Sequence, residues 1–252
     1  MVDRSPRSGV IWSGTTSARV RPWAGDPSRA FLIIMGSHGT ESRMPSPETL
    51  DRWLTTLSEW GYESVRTNAL APVGSDALAA AGFTPAQELE LLSLAHPDRP
   101  GFSVPRDVAP EPVRAARRRV GRPSFASILD LDRVAFGDDW RMDAPSFGDA
   151  MGATRKSRLF VSRSAGTLDG FALVGASDDT GYLQRLAVHP SRRRSGVASR
   201  LVATAIEWTW AHGCTRTVVN TETTNTAALS LYRTMGFLPM GHGLRVMERG
   251  LQ

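Results

Sequence analysis

The chain has 252 residues, 41% of them hydrophobic, which suits a soluble fold of one large or two small domains and excludes a disordered or fibrous protein. Its formal net charge of +5 comes almost wholly from arginine, because Lys156 is the only lysine, and an excess of this size favours anionic partners only weakly. The single cysteine, Cys214, excludes an intramolecular disulfide and a cysteine-based zinc site, and the five histidines show no metal-ligand spacing, so we expect no metal.

The N-terminal segment lacks the apolar core of a signal peptide. The longest strongly apolar run, FLIIM at 31–35, is far shorter than the roughly 20 residues needed to cross a bilayer. These two observations predict a cytoplasmic protein without membrane partners.

The first half of the chain has the pattern of strand, helix, strand, short helix and strand. An apolar strand covers 31–37, and Ser46-Pro47 favours a helix start because serine caps helices and proline loses nothing at the first helical position. One apolar stripe marks that helix before Gly61 ends it: Leu50, Trp53, Leu54, Leu57 and Trp60. A strand (62–70), a short helix closing at Gly82-Phe83, and a strand (88–94) follow.

Residues 96–122 are predicted to be a linker, because proline recurs there and periodic apolar patterning stops. The basic segment at 114–122 is interpreted as a short solvated helix, since no aromatic interleaving or nucleic-acid reading motif accompanies it. The predicted domains are therefore 1–95 and 123–252, on either side of this linker.

The second half repeats the order of the first. A helix (124–136) precedes two strands (158–164 and 170–176) joined by the turn AGTLDG, and then a third strand (181–190). A long helix begins near Ser195 and ends at Gly213, and a strand (215–221) and a short helix from its cap Asn225 to Gly236 complete the pattern.

The two halves indicate an internal duplication, because Gly61 to Gly82 and Gly213 to Gly236 are nearly equal intervals between similar elements. The halves differ between the first strand and its helix. The first half has HGTESRMPSPE at that place, with prolines, where the second half has small and arginine-rich sequence.

The segment RRRSGVA at 192–198 leads from a strand into a helix, whose first N–H groups lack internal partners and favour an anion. Gly196 and Ala198 leave room for a phosphate near the backbone, and the arginines add a charged rim. Too few glycines are present for a dinucleotide fingerprint, and the Walker A ending is absent. The pattern favours a phosphate cradle over a merely solvated basic face.

These residues also carry a resemblance to a known family. Arg193-x-x-Gly196-x-Ala198, after a strand ending LAVHP, resembles the Q/R-x-x-G-x-G/A acetyl-CoA signature of the GNAT family of N-acetyltransferases. The family's second hallmark, N-x-x-A-x-x-x-Y-x-x-x-G-F, is matched downstream by Asn225, Ala228, Tyr232, Gly236 and Phe237. The resemblance covers 123–252, whereas the first half resembles only the latter part of the same fold without its cofactor loop.

The resemblance implies an α/β (α+β) GNAT fold, with a mixed central β-sheet flanked by helices in the C-terminal domain and a partial, degenerate copy in the N-terminal one. It also implies residue roles. The strand residues Leu186, Ala187 and Val188 would offer backbone groups to the pantetheine arm of acetyl-CoA. The loop and helix start would hold the pyrophosphate through Arg193, Arg194, Ser195, Gly196, Val197, Ala198 and Ser199. Asn225 would contact the cofactor, and Tyr232 would be the general acid for the departing CoA thiolate.

The general base is less clearly marked. The family's ribosomal-protein subgroup carries a glutamate 12 residues before the tyrosine, and this chain has Asn220 there. Glu222 lies two residues further on, hence on the same strand face, and is a candidate base acting through water; the alternative is that no dedicated base exists. The segment FGDDWRMD (136–143) resembles the family's acceptor loop. Trp140 is a candidate for the acceptor pocket, while Asp138 and Asp139 are interpreted as loop caps.

The implied activity is transfer of an acetyl group from acetyl-CoA to a primary amine, of a small molecule or of a protein or peptide, by direct attack in a ternary complex. The partners are then acetyl-CoA and the amine acceptor, and nucleic acid is disfavoured. A non-catalytic acyl-CoA-sensing module, or an RNA- or protein-binding module on the same scaffold, is the alternative. The sequence specifies no oligomeric state, and a monomer is compatible with it.

Overall fold

The computed structural model of the chain describes residues 7–13, 16–35, 44–96, 114–115 and 123–251. The chain divides into unit 1, which comprises Met1–Glu90 and Gly241–Gln252, and unit 2, which comprises Leu91–Met240. His38, the first part of HGTESRMPSPE and most of the predicted linker (97–113 and 116–122) lie outside the described residues. Within the described part of the chain, no helix has the length and apolar character required to span a membrane.

The strands in chain order are β1 (Gly9–Ser13), β2 (Thr16–Pro22), β3 (Arg29–Met35), β4 (Ser64–Thr67), β5 (Thr84–Ala95), β6 (Arg114–Ala115), β7 (Lys156–Ser164), β8 (Thr167–Ser177), β9 (Thr180–Val188), β10 (Arg216–Glu222), β11 (Leu238–Pro239) and β12 (Leu244–Gly250). The helices are α1 (Pro47–Glu59), α2 (Pro72–Ala80), α3 (Pro123–Trp140), α4 (Ala144–Gly152), α5 (Val197–Ala211) and α6 (Thr226–Thr234).

Unit 1 contains a mixed sheet. Strands β1, β2 and β3 pair antiparallel, β3 pairs parallel with β4, and β12 lies between β4 and β5 and is antiparallel to both. The apolar stripe of α1 supplies the fully buried Leu57 and the nearly buried Leu50 and Trp53 to a core shared with the sheet. The predicted helix start is confirmed, because Ser46 Oγ accepts a hydrogen bond from the Thr49 N–H at 3.3 Å. Strands β1 and β2 were not predicted.

Strand β12 belongs to unit 1, although its sequence lies in the half that the sequence analysis assigns to the second domain. Met247 is buried in the unit 1 core, and its N–H donates to Thr67 Oγ1 at 3.0 Å. Glu248 accepts from Arg66 Nε at 2.7 Å. Long-range pairing decides this placement, and the local pattern of a strand does not reveal its partner.

Unit 2 repeats the order of unit 1. Strands β7, β8 and β9 pair antiparallel, and β9 pairs parallel with β10. Leu92 and Ser93 of β5 pair with β11 on the far side of β10. Helix α5 packs on one face of the sheet over a core that includes Leu183 and Val219, and α3 and α4 pack on the other face around Phe171. The predicted mixed sheet flanked by helices is confirmed.

Three local details differ from the predicted pattern. The β7–β8 turn contains only Ala165 and Gly166, both with positive φ (45° and 85°), so it is shorter than the predicted AGTLDG. Helix α5 begins at Val197, after the predicted Ser195, because Arg194 and Gly196 are left-handed (φ 62° and 75°). Arg114 and Ala115 pair with β7, so these two residues do not form the predicted basic helix.

Candidate functional site

Strands β9 and β10 separate at one end of unit 2. Their parallel pairing covers Thr180–Leu183 and Arg216–Val219, although β9 continues to Val188 and β10 to Glu222. A bulge lies at the point of separation, because Leu173 and Val174 of β8 oppose Arg185 and Leu183, which leaves Gln184 as the extra residue. The strand edge at Leu186–Val188 is therefore not paired with β10 in the described residues.

The N-terminus of α5 packs against β8 and β9 and is not capped by a side chain. The N-cap is Gly196, and the first turn of the helix contains no acidic residue. A Cβ atom added to Gly170 of β8 would lie 2.8 Å from Ala187 O and 2.9 Å from Val197 Cγ1, so only glycine lets the helix start pack this closely on the strands. The uncapped helix end is thus held against β9, where its N–H groups are available to an anion.

The three consecutive arginines are not equivalent. Arg192 Nε is 2.9 Å from Asp169 Oδ1, and Arg192 Nη2 donates to Ser164 Oγ at 2.6 Å. Because Asp169 is buried, this pair anchors the loop to β8. Arg193, Arg194 and Ser195 are exposed, as a charged rim requires.

The corresponding helix of unit 1 has the opposite character at its N-terminus. Ser46 caps α1, Pro47 has no N–H to offer, and Glu48 places a carboxylate in the first turn. The hydrogen bond with Ser46 lowers the pKa of Glu48 below its usual range, so this end is negatively charged at neutral pH. The α1 end is therefore unsuited to an anion, whereas the α5 end suits one.

Tyr232 lies on α6 and is buried, with its ring centroid 5.7 Å from that of Phe237. Its hydroxyl has no hydrogen-bond partner among the described residues. Burial raises the pKa of Tyr232 well above its usual value of 10, so the phenol is protonated at neutral pH. The O–H of this protonated phenol is therefore available as a hydrogen-bond donor.

Asn225 and Glu222 flank the start of α6. Asn225 is the N-cap, as predicted, and its Oδ1 accepts from the Ala228 N–H at 3.1 Å, which leaves only its amide NH₂ for a ligand. Strand β10 runs through Glu222, so Glu222 and Asn220 share a strand face. Glu222 Oε2 accepts from Thr224 Oγ1 at 3.4 Å.

Sequence reasoning missed a buried ion pair beside the acceptor-loop segment. Arg185 Nε and Nη2 donate to Asp132 Oδ1 and Oδ2 at 2.7 and 2.9 Å, and Asp132 is fully buried. The same Nη2 donates to Trp140 O at 2.7 Å, and the Met142 N–H donates to Asp132 Oδ2 at 2.6 Å. The signal in the sequence was a charged residue among the apolar residues of each element, Asp132 in α3 and Arg185 in β9.

The acceptor-loop segment (136–143) contains a kink within α3, and the contacts of Arg185 and Asp132 hold the segment on the C-terminal side of that kink. Gly137 has φ 78° and ψ 173°, which ends regular helix there. Asp143 caps α4 by accepting from the Ser146 N–H at 2.7 Å, whereas Asp138 is exposed and lies 3.7 Å from Arg133. In the part of the chain that the structure describes, no group of three or more metal-binding side chains is present.

Residues 125–237 match the model of the Acetyltransferase (GNAT) family. Two curated relatives agree with this match. N-alpha-acetyltransferase 30 of Saccharomyces cerevisiae is 42% identical over 60 residues, which is 24% of this chain and 34% of the relative. Mycothiol acetyltransferase of Thermobispora bispora is 26% identical over 198 residues, 74% of this chain and 66% of the relative. The chain thus spans about a third of one relative and just under two thirds of the other.

Solved structures show the GNAT fold over most of the chain. A tandem GNAT protein from the clavulanic acid biosynthesis pathway has a TM-score of 0.66 at 13% identity, covering 98% of this chain and 84% of that one. A GCN5-related N-acetyltransferase from Sphaerobacter thermophilus has a TM-score of 0.59 at 16% identity, covering 94% and 77%. A GCN5-related N-acetyltransferase from Kribbella flavida has a TM-score of 0.58 at 17% identity, covering 97% of this chain and 90% of that one. The predicted GNAT fold is confirmed, and the GNAT family is supported.

Proposed function

We propose that the chain is an acetyl-CoA-dependent N-acetyltransferase that acts through unit 2. The observation that carries this proposal is the uncapped N-terminus of α5, packed through Gly170 against strands that separate after Leu183. A helix end open to phosphate and an adjacent free strand edge fit the two parts of a CoA molecule, its pyrophosphate and its amide-containing arm.

The binding roles follow from this fit. The backbone groups of Leu186, Ala187 and Val188 pair with the pantetheine amides along the free edge of β9. The N–H groups of 194–199 face the pyrophosphate, and Arg193 and Arg194 add charge at the rim. The Asn225 amide NH₂ is the remaining donor on the α6 side. Acetyl-CoA supplies the activated acyl group as a thioester.

Tyr232 completes the transfer as the general acid. The amine nitrogen forms a bond to the acyl carbon while the carbon–sulfur bond breaks, and the Tyr232 hydroxyl proton passes to the departing sulfur. The amine attacks as its free base, which matters more for a lysine-type amine with a pKa of about 10.4 than for an α-amine near 8. Glu222 receives the amine proton through water, unless the amine binds already deprotonated and needs no base.

Unit 1 is proposed to be a degenerate GNAT copy with a structural or substrate-shaping role. One support is the order of elements that the two units share. The other is the N-terminus of α1, which Ser46 caps and Glu48 makes acidic, whereas the corresponding N-terminus of α5 in unit 2 is uncapped. The names of the two relatives, a mycothiol acetyltransferase and an N-alpha-acetyltransferase, point to different acceptors. The acceptor of this chain is therefore assigned only as a primary amine.

A screen with the full chain tests the proposal. The protein is incubated with acetyl-CoA and a panel of small amines, aminoglycosides and peptides, and CoA release is followed over time. We expect steady release with one acceptor class and calorimetric binding of CoA without any acceptor. Absence of CoA binding would rule out the proposal.

A non-catalytic acyl-CoA-sensing or RNA- or protein-binding role is the second candidate. The observation in its favour is Asn220, which occupies the strand position of the subgroup's glutamate and supplies no base. Binding of CoA without release in any acceptor class would favour sensing. RNA or protein binding that persists without CoA would favour an RNA- or protein-binding role.

A further inference from the structure

A buried arginine lies directly behind the open end of α5. Arg200 is 8% exposed and sits in the first turns of the helix. Helical side chains lean toward the N-terminus, and Arg200 Nη1 accordingly lies 3.5 Å from Ser195 O in the loop that precedes the helix. Its Nε is buried and has no hydrogen-bond partner in the described residues.

The charge of Arg200 is not balanced within the described residues. No carboxylate pairs with it there, and its one hydrogen bond is a long contact with a carbonyl. Burying a cation without a counter-charge is unfavourable, and the positive end of the helix dipole adds to the cost. The nearby Arg192 illustrates the usual solution, because buried Asp169 neutralises it.

We propose that Arg200 is a phosphate-binding residue, whose guanidinium is neutralised by the diphosphate of acyl-CoA on the uncapped N–H groups of α5. Naming acyl-CoA rests on the proposed function, whereas the anion site itself rests on Arg200 and the helix end. The long contact with Ser195 O is exchanged for a charge-assisted bond to phosphate, which is about twice as strong as a neutral one. Arg193 and Arg194 lie at the exposed rim, so Arg200 is the cation that water screens least.

The test compares Arg200→Met with wild type in two measurements on the full chain. We expect CoA to bind the variant about 10- to 100-fold more weakly by calorimetry, as for the loss of a hydrogen bond to a charged group. We expect the ligand-free melting temperature to stay the same or rise, because an unpaired buried charge has been removed. Arg200→Lys, which keeps the charge but loses the fork-shaped donor, should have intermediate affinity.

Arg192→Met is the matched control, because it removes a neighbouring arginine that has a carboxylate partner. Its ligand-free melting temperature should fall, since Asp169 is left buried without its cation. Unchanged CoA affinity in Arg200→Met would overturn the inference. So would a lower ligand-free melting temperature of that variant, which would show that Arg200 stabilises the fold without an anion.

Inorganic pyrophosphate separates this inference from the proposed function. If CoA binds wild type and Arg200→Met equally, the role of Arg200 is wrong and the proposed function stands. If CoA binds neither protein but pyrophosphate binds wild type at least tenfold more tightly than the variant, the anion site stands and the proposed function fails. If pyrophosphate binds both proteins equally, or binds neither, Arg200 takes no part in anion binding and the inference fails.

Discussion

Arg185 and Asp132 form a two-pronged ion pair, with donor–acceptor distances of 2.7 and 2.9 Å, between β9 and α3. Arg185 Cζ also lies 3.4 Å from the centroid of the Phe136 ring, and the guanidinium donates a hydrogen bond to the carbonyl of Trp140. Arg185 immediately follows the bulge residue Gln184, so the pair connects the point where β9 leaves β10 to the acceptor-loop segment. The pair therefore fixes that segment relative to the proposed reaction site.

Replacing Asp132 with asparagine should destabilise the protein and weaken binding of the amine acceptor at the acceptor-loop segment. Arg185 would lose its buried counter-charge, and breaking such a pair costs about 3–5 kcal/mol of unfolding free energy. Denaturant titration measures this loss. The KM for the amine should rise while calorimetric CoA affinity stays near that of wild type. The matched control is Asp138→Asn, which removes an exposed charge 3.7 Å from Arg133 and should cost less than about 1 kcal/mol.

Replacing Tyr232 with phenylalanine should lower turnover about 100-fold or more and leave CoA affinity largely intact. Stability should change little, because the hydroxyl has no hydrogen-bond partner in the described residues. The raised pKa of Tyr232 keeps the acid form present throughout the range below pH 10, so wild-type turnover should show no alkaline loss from this group up to that pH. An unchanged rate at saturating substrates would remove Tyr232 from the mechanism.

Gly196→Ala should reduce both stability and CoA affinity. An alanine at φ 75° adopts a left-handed conformation that costs about 1–2 kcal/mol, and relaxation of this strain moves the N–H groups at the helix start. Gly213→Ala, at the other end of α5, is the control, since φ is 81° there and a Cβ atom would meet nothing within 4 Å. Denaturation should show a similar loss in both variants, whereas calorimetry should show weaker CoA binding only in Gly196→Ala.

A chain ending at Met240 should lose the fold of unit 1. Removal of β12 deletes the strand between β4 and β5, exposes the core around Val65 and leaves Arg66, 6% exposed, without Glu248. Limited proteolysis and hydrogen exchange across 16–67 report the loss. Protection in this range equal to that of the full chain would contradict the assigned pairing. Glu248→Ala, a milder change, should destabilise unit 1 without removing the strand.

Stability should fall in mildly acidic solution partly because of His96. His96 Nε2 lies 3.0 Å from Thr217 Oγ1, its Nδ1 lies 3.3 Å from Cys214 O, and burial lowers its pKa below 6.5. The unfolded chain then binds the proton first, so stability present above about pH 6.5 is lost as the pH falls toward the folded-state pKa. Melting temperatures of wild type and His96→Gln from pH 8 to pH 5 should converge. His242→Gln, an exposed site, should keep the wild-type slope.

Local patterns predicted the helix ends in both units. Ser46 and Asn225 were predicted as helix caps, and both side chains accept the expected backbone N–H. Caps and glycine-terminated helix ends act within a few residues, so the sequence around them carries the necessary information. The start of α5 was predicted two residues early because the left-handed Arg194 has no sequence signal of the kind that Gly196 has.

The sequence by itself determined the strand–helix–strand–helix order within each half and the small, arginine-rich start of α5, because each depends on neighbours along the chain. Only the tertiary structure decided which charges have partners. Arg192 and Arg200 lie only eight residues apart, yet the first is paired with Asp169 and the second is buried behind the helix end. Arg185 and Asp132 lie 53 residues apart, and Glu248 meets Arg66 across 182 residues. Such pairs depend on strand register and burial, which arise from packing between distant segments.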